Sequence, residues 1–218
     1  MVTIYGVYRS RALRPLWVLA EAGCDFEHVP VIQAARLADP QAPDAPINTR
    51  SADYLAINPL GQIPAMRDGD LLLSESLAIC LHLARKYGGI LGPQTDDEIA
   101  LLDQWALFAA TAIEPPALEI MLTANDNRDR SPTAEAIIRV SAEKLRAPLN
   151  RLEQALAARD HLLGRFSVAD IIVVGCLRYA EAHAALLDGF PLTRKWLAAC
   201  QSRPAFQAVL AKREAEPA

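Results

Sequence analysis

Cysteine and histidine are scarce, four of each in 218 residues. Cys24, Cys80, Cys176 and Cys200 lie far apart and form no CxxC pair, so the spacing that holds zinc is missing. No metal is expected, and the thiols read as buried and reduced. Lys and Arg cluster nowhere and the net charge is −4, which leaves nucleic-acid or anionic-membrane binding without electrostatic support. No apolar run reaches the roughly 20 residues of a membrane span, so no membrane partner is expected. The opening Met1-Val-Thr-Ile-Tyr-Gly is a strand pattern rather than a basic stretch followed by an apolar one, and a cytoplasmic location is the expectation. Hydrophobic residues make up 52% and charged residues 22%, the balance of a folded chain with a substantial core.

Two regimes follow one another along the chain. Residues 2–8 read as a strand, a helix follows from Pro15 to Ala22 with Gly23 as its stop, and 26–31 alternates as a second strand. Residues 33–51, with Pro40, Pro43 and Pro46, read as a long surface loop. Tyr54–Ile57 is a helical turn. Strands at 65–67 and 71–73 flank Asp68-Gly69-Asp70 as a hairpin, and a helix runs from about Ser74 to Tyr87. That order, β-α-β-(α)-β-β-α, is thioredoxin-like. Beyond Asp96 only helical periods remain, at about 97–123, 133–158, 168–184, 191–200 and 204–213. The expected organisation is therefore an α/β thioredoxin-like N-terminal domain over 1–88, a linker at 89–95, and an all-α helical domain over 96–218.

Four pieces in this order resemble the glutathione transferase superfamily over essentially the whole chain: Ser10-x-x-x-Arg14, Asn58-Pro59-Leu60-Gly61-Gln62-Ile63-Pro64, Ser74-Glu75-Ser76-Leu77-Ala78-Ile79, and Phe166-Ser167-Val168-Ala169-Asp170. The chain is identified on this ground as a cytosolic-type, Ser-type, bacterial-like member. The resemblance implies that glutathione is bound by the first domain as co-substrate, that the helical domain supplies the second-substrate site for a small hydrophobic electrophile, and that the protein is a homodimer serving detoxification.

It also implies roles. Ile63 before a cis Pro64 would present N–H and C=O to the cysteinyl backbone of glutathione, as an added strand does. Glu75 would answer the γ-glutamyl ammonium, while Ser76 at a helix N-terminus would donate to the γ-glutamyl carboxylate. Capping of that helix by Ser74 or Ser76 is the plainer role and is compatible with the first. Gln62 would reach the glycyl end, where relatives often carry Lys, and Thr49 and Arg50 are the candidates for the remaining carboxylate.

Ser10 is the candidate catalytic residue. A free thiol has a pKa of roughly 8.5, and a hydroxyl donating to sulfur favours the thiolate. A shift of about two units corresponds to roughly 2.7 kcal/mol. The alternatives are Tyr5 as the donor, or Ser10 as a plain N-cap, with Arg11 and Arg14 adding positive potential or Arg14 serving as an ordinary helix or interface charge. Ser167 and Asp170 read as a capping box with no catalytic role. The wall for the electrophile is expected on helix 97–123, from Trp105, Phe108, Ala109, Thr111, Ala112, Ile113 and Met121, with Glu114-Pro115-Pro116 kinking that helix or ending it locally. Two other outcomes stay open: a glutathione-dependent isomerase, peroxidase or ether-cleaving lyase, and a non-catalytic binding or interaction module.

Overall fold

The computed structural model describes residues 1–126 and 131–216. Contacts divide the chain into two units, Met1–Gly92 joined by the terminal segment from Pro204, and Pro93–Arg203.

The first unit is built on a four-stranded sheet of order β2-β1-β3-β4. Strand β1 (Val2–Tyr5) pairs parallel with β2 (Phe26–Val29) and antiparallel with β3 (Ala65–Asp68), which pairs antiparallel with β4 (Leu71–Ser74). Both N-terminal strands are shorter than the sequence suggests: Gly6 turns the chain out of β1 at φ 140°, and β2 stops before Pro30, which has no N–H to give to a ladder. Helix α1 (Leu13–Ala22) makes the crossover and ends on Gly23 at φ 60°, the left-handed stop that glycine takes at little cost. Two short elements, a 3-10 turn at Ala34–Arg36 and helix α2 (Ala52–Leu55), precede the hairpin, and α3 (Ser76–Tyr87) follows it. The 33–51 loop is tied shut at its base: Ile32 bridges to Asn48, and the buried Asn48 amide donates to the carbonyls of Pro40 and Pro46.

The sequence places everything after Asp96 in the helical domain, yet α9 (Pro204–Ala215) belongs with the first unit. Its Phe206 meets the fully buried Trp17 of α1 edge-on at 4.6 Å between ring centroids. Two large aromatic surfaces gain more from burying each other than from separate half-exposure.

The second unit is helical throughout: α4 (Asp96–Phe108), α5 (Glu114–Asp126), α6 (Pro132–Leu156), α7 (Val168–Leu177), a 3-10 stretch at Arg178–Gly189, and α8 (Pro191–Gln201). Every residue of α7 is buried, and it packs against α4, α5 and α8. The expected capping box is present: Ser167 N donates to the Asp170 carboxylate at 2.9 Å. Asp170 also accepts from Leu162 N and Trp196 Nε1, so one buried carboxylate joins a loop, α7 and α8.

Helices α4 and α5 form one run through a π-helical turn at Ala109–Ile113. Pro115 and Pro116 have no N–H to give to the carbonyls four residues back, and their rings crowd those carbonyls. The wider turn relieves this, so the prolines modify the helix rather than end it. By length and composition alone the run Asp96–Asn125 reaches what a bilayer crossing needs, contrary to the sequence expectation. One face of it, Leu102, Trp105, Ala109, Ile113, Ala117 and Ile120, is buried at helical spacing, while Ile99, Leu101, Leu107 and Leu122 are exposed.

Candidate active site

Three pieces of the first unit meet around the start of α1. Gly6, just past β1, has no side chain, and a Cβ there would lie 3.1 Å from Ala12 Cβ and 3.3 Å from Ile63 Cβ. That close approach seats the Ile63–Pro64 turn against the loop that carries Ser10. The Ile63–Pro64 bond is cis, as the resemblance implies.

Upstream, the Gln62 carbonyl accepts two hydrogen bonds, from the Tyr54 hydroxyl at 2.5 Å and from Asn58 Nδ2 at 2.7 Å. Tyr54 is fully buried, and burial, partly offset by Asn58, pushes its hydroxyl up to about 12, so it remains a donor at physiological pH. Across the trans Gln62–Ile63 peptide the C=O and N–H point in opposite directions. Pinning the carbonyl therefore turns the Ile63 N–H away from Tyr54. Sequence reasoning missed Tyr54 and Asn58 as organisers of this turn; only the Asn-Pro pair marked it as a turn at all.

The third piece is the β4-to-α3 junction. Glu75 sits between them at φ 65° and ψ 110°, a conformation that costs a residue with a Cβ on the order of 1–3 kcal/mol and gathers at functional sites. Glu75 is exposed, while Ser76 begins α3 and is buried. Arg14 Nη1 donates to Ser76 Oγ at 3.0 Å. Arg14 is itself 2% exposed, so it is a buried cation linking α1 to the start of α3 rather than an ordinary helix charge. A hydroxyl that accepts from a guanidinium keeps its own proton to donate and becomes the better donor for it.

Ser10 is half-buried, one helical turn before Arg14. Its hydroxyl donates to the Val7 carbonyl at 2.6 Å and accepts from Ala12 N at 3.0 Å. This is a hydroxyl-centred turn leading into the helix, for Ala12 holds the N-cap position of α1 and Ser10 does not. Tyr5 lies in β1, packed against the cluster of Val31, Tyr54 and Ala65, with its ring centroid 6.4 Å from that of Tyr54.

The remaining candidates lie nearby. A Cβ on Gly61, at φ 59°, would come within 2.6 Å of the Thr49 carbonyl, so the end of the 33–51 loop rests on the turn before Gln62. Thr49 is spent on the loop itself, its Oγ1 accepting from Ala34 N. Arg50 and Gln62 both have exposed side chains. Of the proposed wall in the second unit, Trp105, Ala109 and Ile113 are buried core. Phe108, Ala112 and Met121 are half-buried and Thr111 is exposed. Thr111 and Ala112 line a cleft of about 770 Å³ with Pro115, Pro116, Ile137 and Val140.

A thioredoxin-like sheet with a cis-proline turn and a separate helical unit are what the resemblance to glutathione-using proteins implies. Residues 1–85 match the family model "Glutathione S-transferase, N-terminal domain", and residues 113–204 match "Glutathione S-transferase, C-terminal domain". Among curated relatives, glutathione S-transferase 4 of Zea mays is 33% identical over 94% of this chain and 89% of its own length. Probable glutathione S-transferase GSTF2 of Oryza sativa subsp. japonica is 34% identical over 94% of each. Among solved structures, glutathione S-transferase I from maize in complex with an atrazine glutathione conjugate is 30% identical, with a TM-score of 0.81 over 99% of each chain. Glutathione transferase F7 from Populus trichocarpa is 29% identical with a TM-score of 0.80, over 98% of this chain and 99% of that one. The chain belongs to the glutathione S-transferase family and is a transferase of that family. These relatives are plant proteins, and the expected Ser-type, bacterial-like affiliation is not supported.

Proposed function

We propose that the chain binds glutathione in the first unit through Ile63, Glu75, Ser76, Gln62 and Arg50, and that Ser10 activates its thiol for attack on a small hydrophobic electrophile. One observation carries this reading. Gly6 admits Ile63 beside the Ser10 loop, and Arg14 ties the same helix start to Ser76, so groups suited to a peptide backbone, a carboxylate and a thiol share one place. The Ser10 hydroxyl donates to the Val7 carbonyl, and turning it about the Cβ–Oγ bond delivers that proton to sulfur. With its pKa lowered by that donor, the thiol releases its proton to water, and the thiolate forms the S–C bond with its lone pair as the leaving group departs with the bonding electrons, or as the electrophile accepts them in an addition.

The roles of residues 1–88 and 96–218 as glutathione-binding and second-substrate domains belong to this proposal, with α9 moved to the first. So do the cytoplasmic location and a symmetric homodimer, the latter supported by the exposed apolar residues Leu101 and Leu107 on α4 and Leu71 and Leu72 on β4. That the maize relative was solved with an atrazine glutathione conjugate favours conjugation over the isomerase, peroxidase and lyase alternatives. The retained Ser10, Ile63, Glu75 and Ser76 set disfavours a non-catalytic module. A glutathione-dependent screen over halogenated aromatics, isothiocyanates, hydroperoxides and aryl ethers tests the reading. Conjugates with the first two classes are expected; turnover of hydroperoxides or ethers alone would replace it.

A further inference from the structure

The loop that carries Ser10 is held from the far end of the chain. The Glu216 carboxylate, just beyond α9, accepts from Tyr8 N at 2.7 Å with one oxygen and from Arg9 N at 2.8 Å with the other. Arg9 returns the contact, its Nε donating to the carbonyls of Arg213 and Glu216 at 3.1 Å each. Arg36 from the long loop donates to the Arg9 carbonyl at 3.1 Å. Val7 and Tyr8 are buried while Arg9 and Glu216 are half-buried, and the two charge-assisted bonds are themselves part-buried.

The consequence reaches Ser10 through one peptide plane. The Val7–Tyr8 bond is trans, so its N–H and C=O point opposite ways. With the Tyr8 N–H drawn to Glu216, the Val7 carbonyl faces the other side, where it accepts the Ser10 hydroxyl. We infer that Glu216 is a positioning residue for thiol activation: its carboxylate fixes the Val7–Arg9 backbone and so the place of the Ser10 hydroxyl. This rests on Ser10 acting on the thiol, as proposed above. It needs no contact between Glu216 and glutathione.

The test uses the full chain and glutathione itself. In Glu216→Ala the amide protons of Tyr8 and Arg9 should exchange faster, and the pKa of bound glutathione, read from thiolate absorbance, should rise by about one unit. Turnover near neutral pH should fall up to about tenfold, while the glutathione Kd changes less than about threefold. Glu216→Gln, which keeps one acceptor oxygen, should fall between. Glu214→Gln removes the same charge from an exposed side chain two residues away and should leave the thiol unmoved. The double variant Ser10→Ala/Glu216→Ala should titrate no higher than Ser10→Ala alone, since both act on one hydroxyl. Faster exchange with an unmoved thiol pKa would reduce the clamp to a structural contact and overturn the inference. So would a lowered pKa, the sign expected if Glu216 acted only as a charge, or an equal rise in Glu214→Gln, which would detach the effect from the bonds to Tyr8 and Arg9. If Ser10→Ala itself leaves the thiol unmoved, the Ser10 reading fails, and positioning through Ser10 fails with it.

Discussion

At the scale of single residues the competing donors are Ser10 and Tyr5. The Ser10 hydroxyl stands in a loop with its proton on a carbonyl it can exchange for sulfur, whereas the Tyr5 ring is packed into the Val31–Tyr54–Ala65 cluster. Ser10→Ala should therefore raise the pKa of bound glutathione by about one to two units while leaving its Kd nearly intact, and Tyr5→Phe should do little. Thiolate absorbance titrations of the two variants decide, and the reverse pattern would move the activating role to Tyr5. Glu75→Ala should weaken glutathione binding, followed by calorimetry, far more than Gln62→Ala, because it removes a charge partner rather than a neutral contact. Tyr54→Phe deletes one of the two bonds on the Gln62 carbonyl. A stability loss of about 1 kcal/mol by urea titration is expected, with weaker glutathione binding through a looser Ile63 N–H.

Secondary-structure elements are joined by buried carboxylates. Asp68, at the end of β3, accepts from His82, Lys86 and Tyr87 of α3 at 2.7–2.8 Å. Burial alone would raise its pKa, but the bonds from Lys86, His82 and Tyr87 outweigh it and hold the carboxyl well below the usual range. The unfolded chain then binds a proton at a higher pH than the folded one. The stability contributed by Asp68 is complete above the ordinary carboxylate pKa of about 3.9 and is lost as pH falls through the lower folded value. Urea midpoints measured downward from pH 6 should fall in the acid range, and Asp68→Asn should flatten part of that fall. In the helical unit, Asp170→Ala strands the donors of Leu162, Ser167 and Trp196 inside the core. A loss of roughly 3 kcal/mol or more is expected in the same assay, and a loss under 1 would mean that water replaces the carboxylate.

For the molecule as a whole, the exposed apolar side chains of α4 and β4 make self-association the expectation. Sedimentation at micromolar concentration should give twice the chain mass, and charged substitutions at Leu101 and Leu107 should shift it toward the monomer. A species of single chain mass in the unsubstituted protein would remove the dimer from the proposal. The amino-acid sequence by itself determined the α/β-then-α order, the hairpin at Gly69, the stop at Gly23 and the capping box at Ser167 and Asp170. Each rests on local periodicity, turn chemistry or a spacing of a few residues, and such preferences act without regard to the rest of the chain. The four motif pieces likewise made Ser10, Ile63, Glu75 and Ser76 legible as candidates. Only the tertiary structure decided that Arg14 is buried against Ser76, that Tyr54 and Asn58 aim the Ile63 peptide, that α9 packs on α1, and that Glu216 grips Tyr8 and Arg9. Those partners are separated by up to 208 positions, and no local pattern marks one polar side chain for one distant peptide group. The choice is made when apolar burial brings the elements together and every polar group enclosed must find a partner.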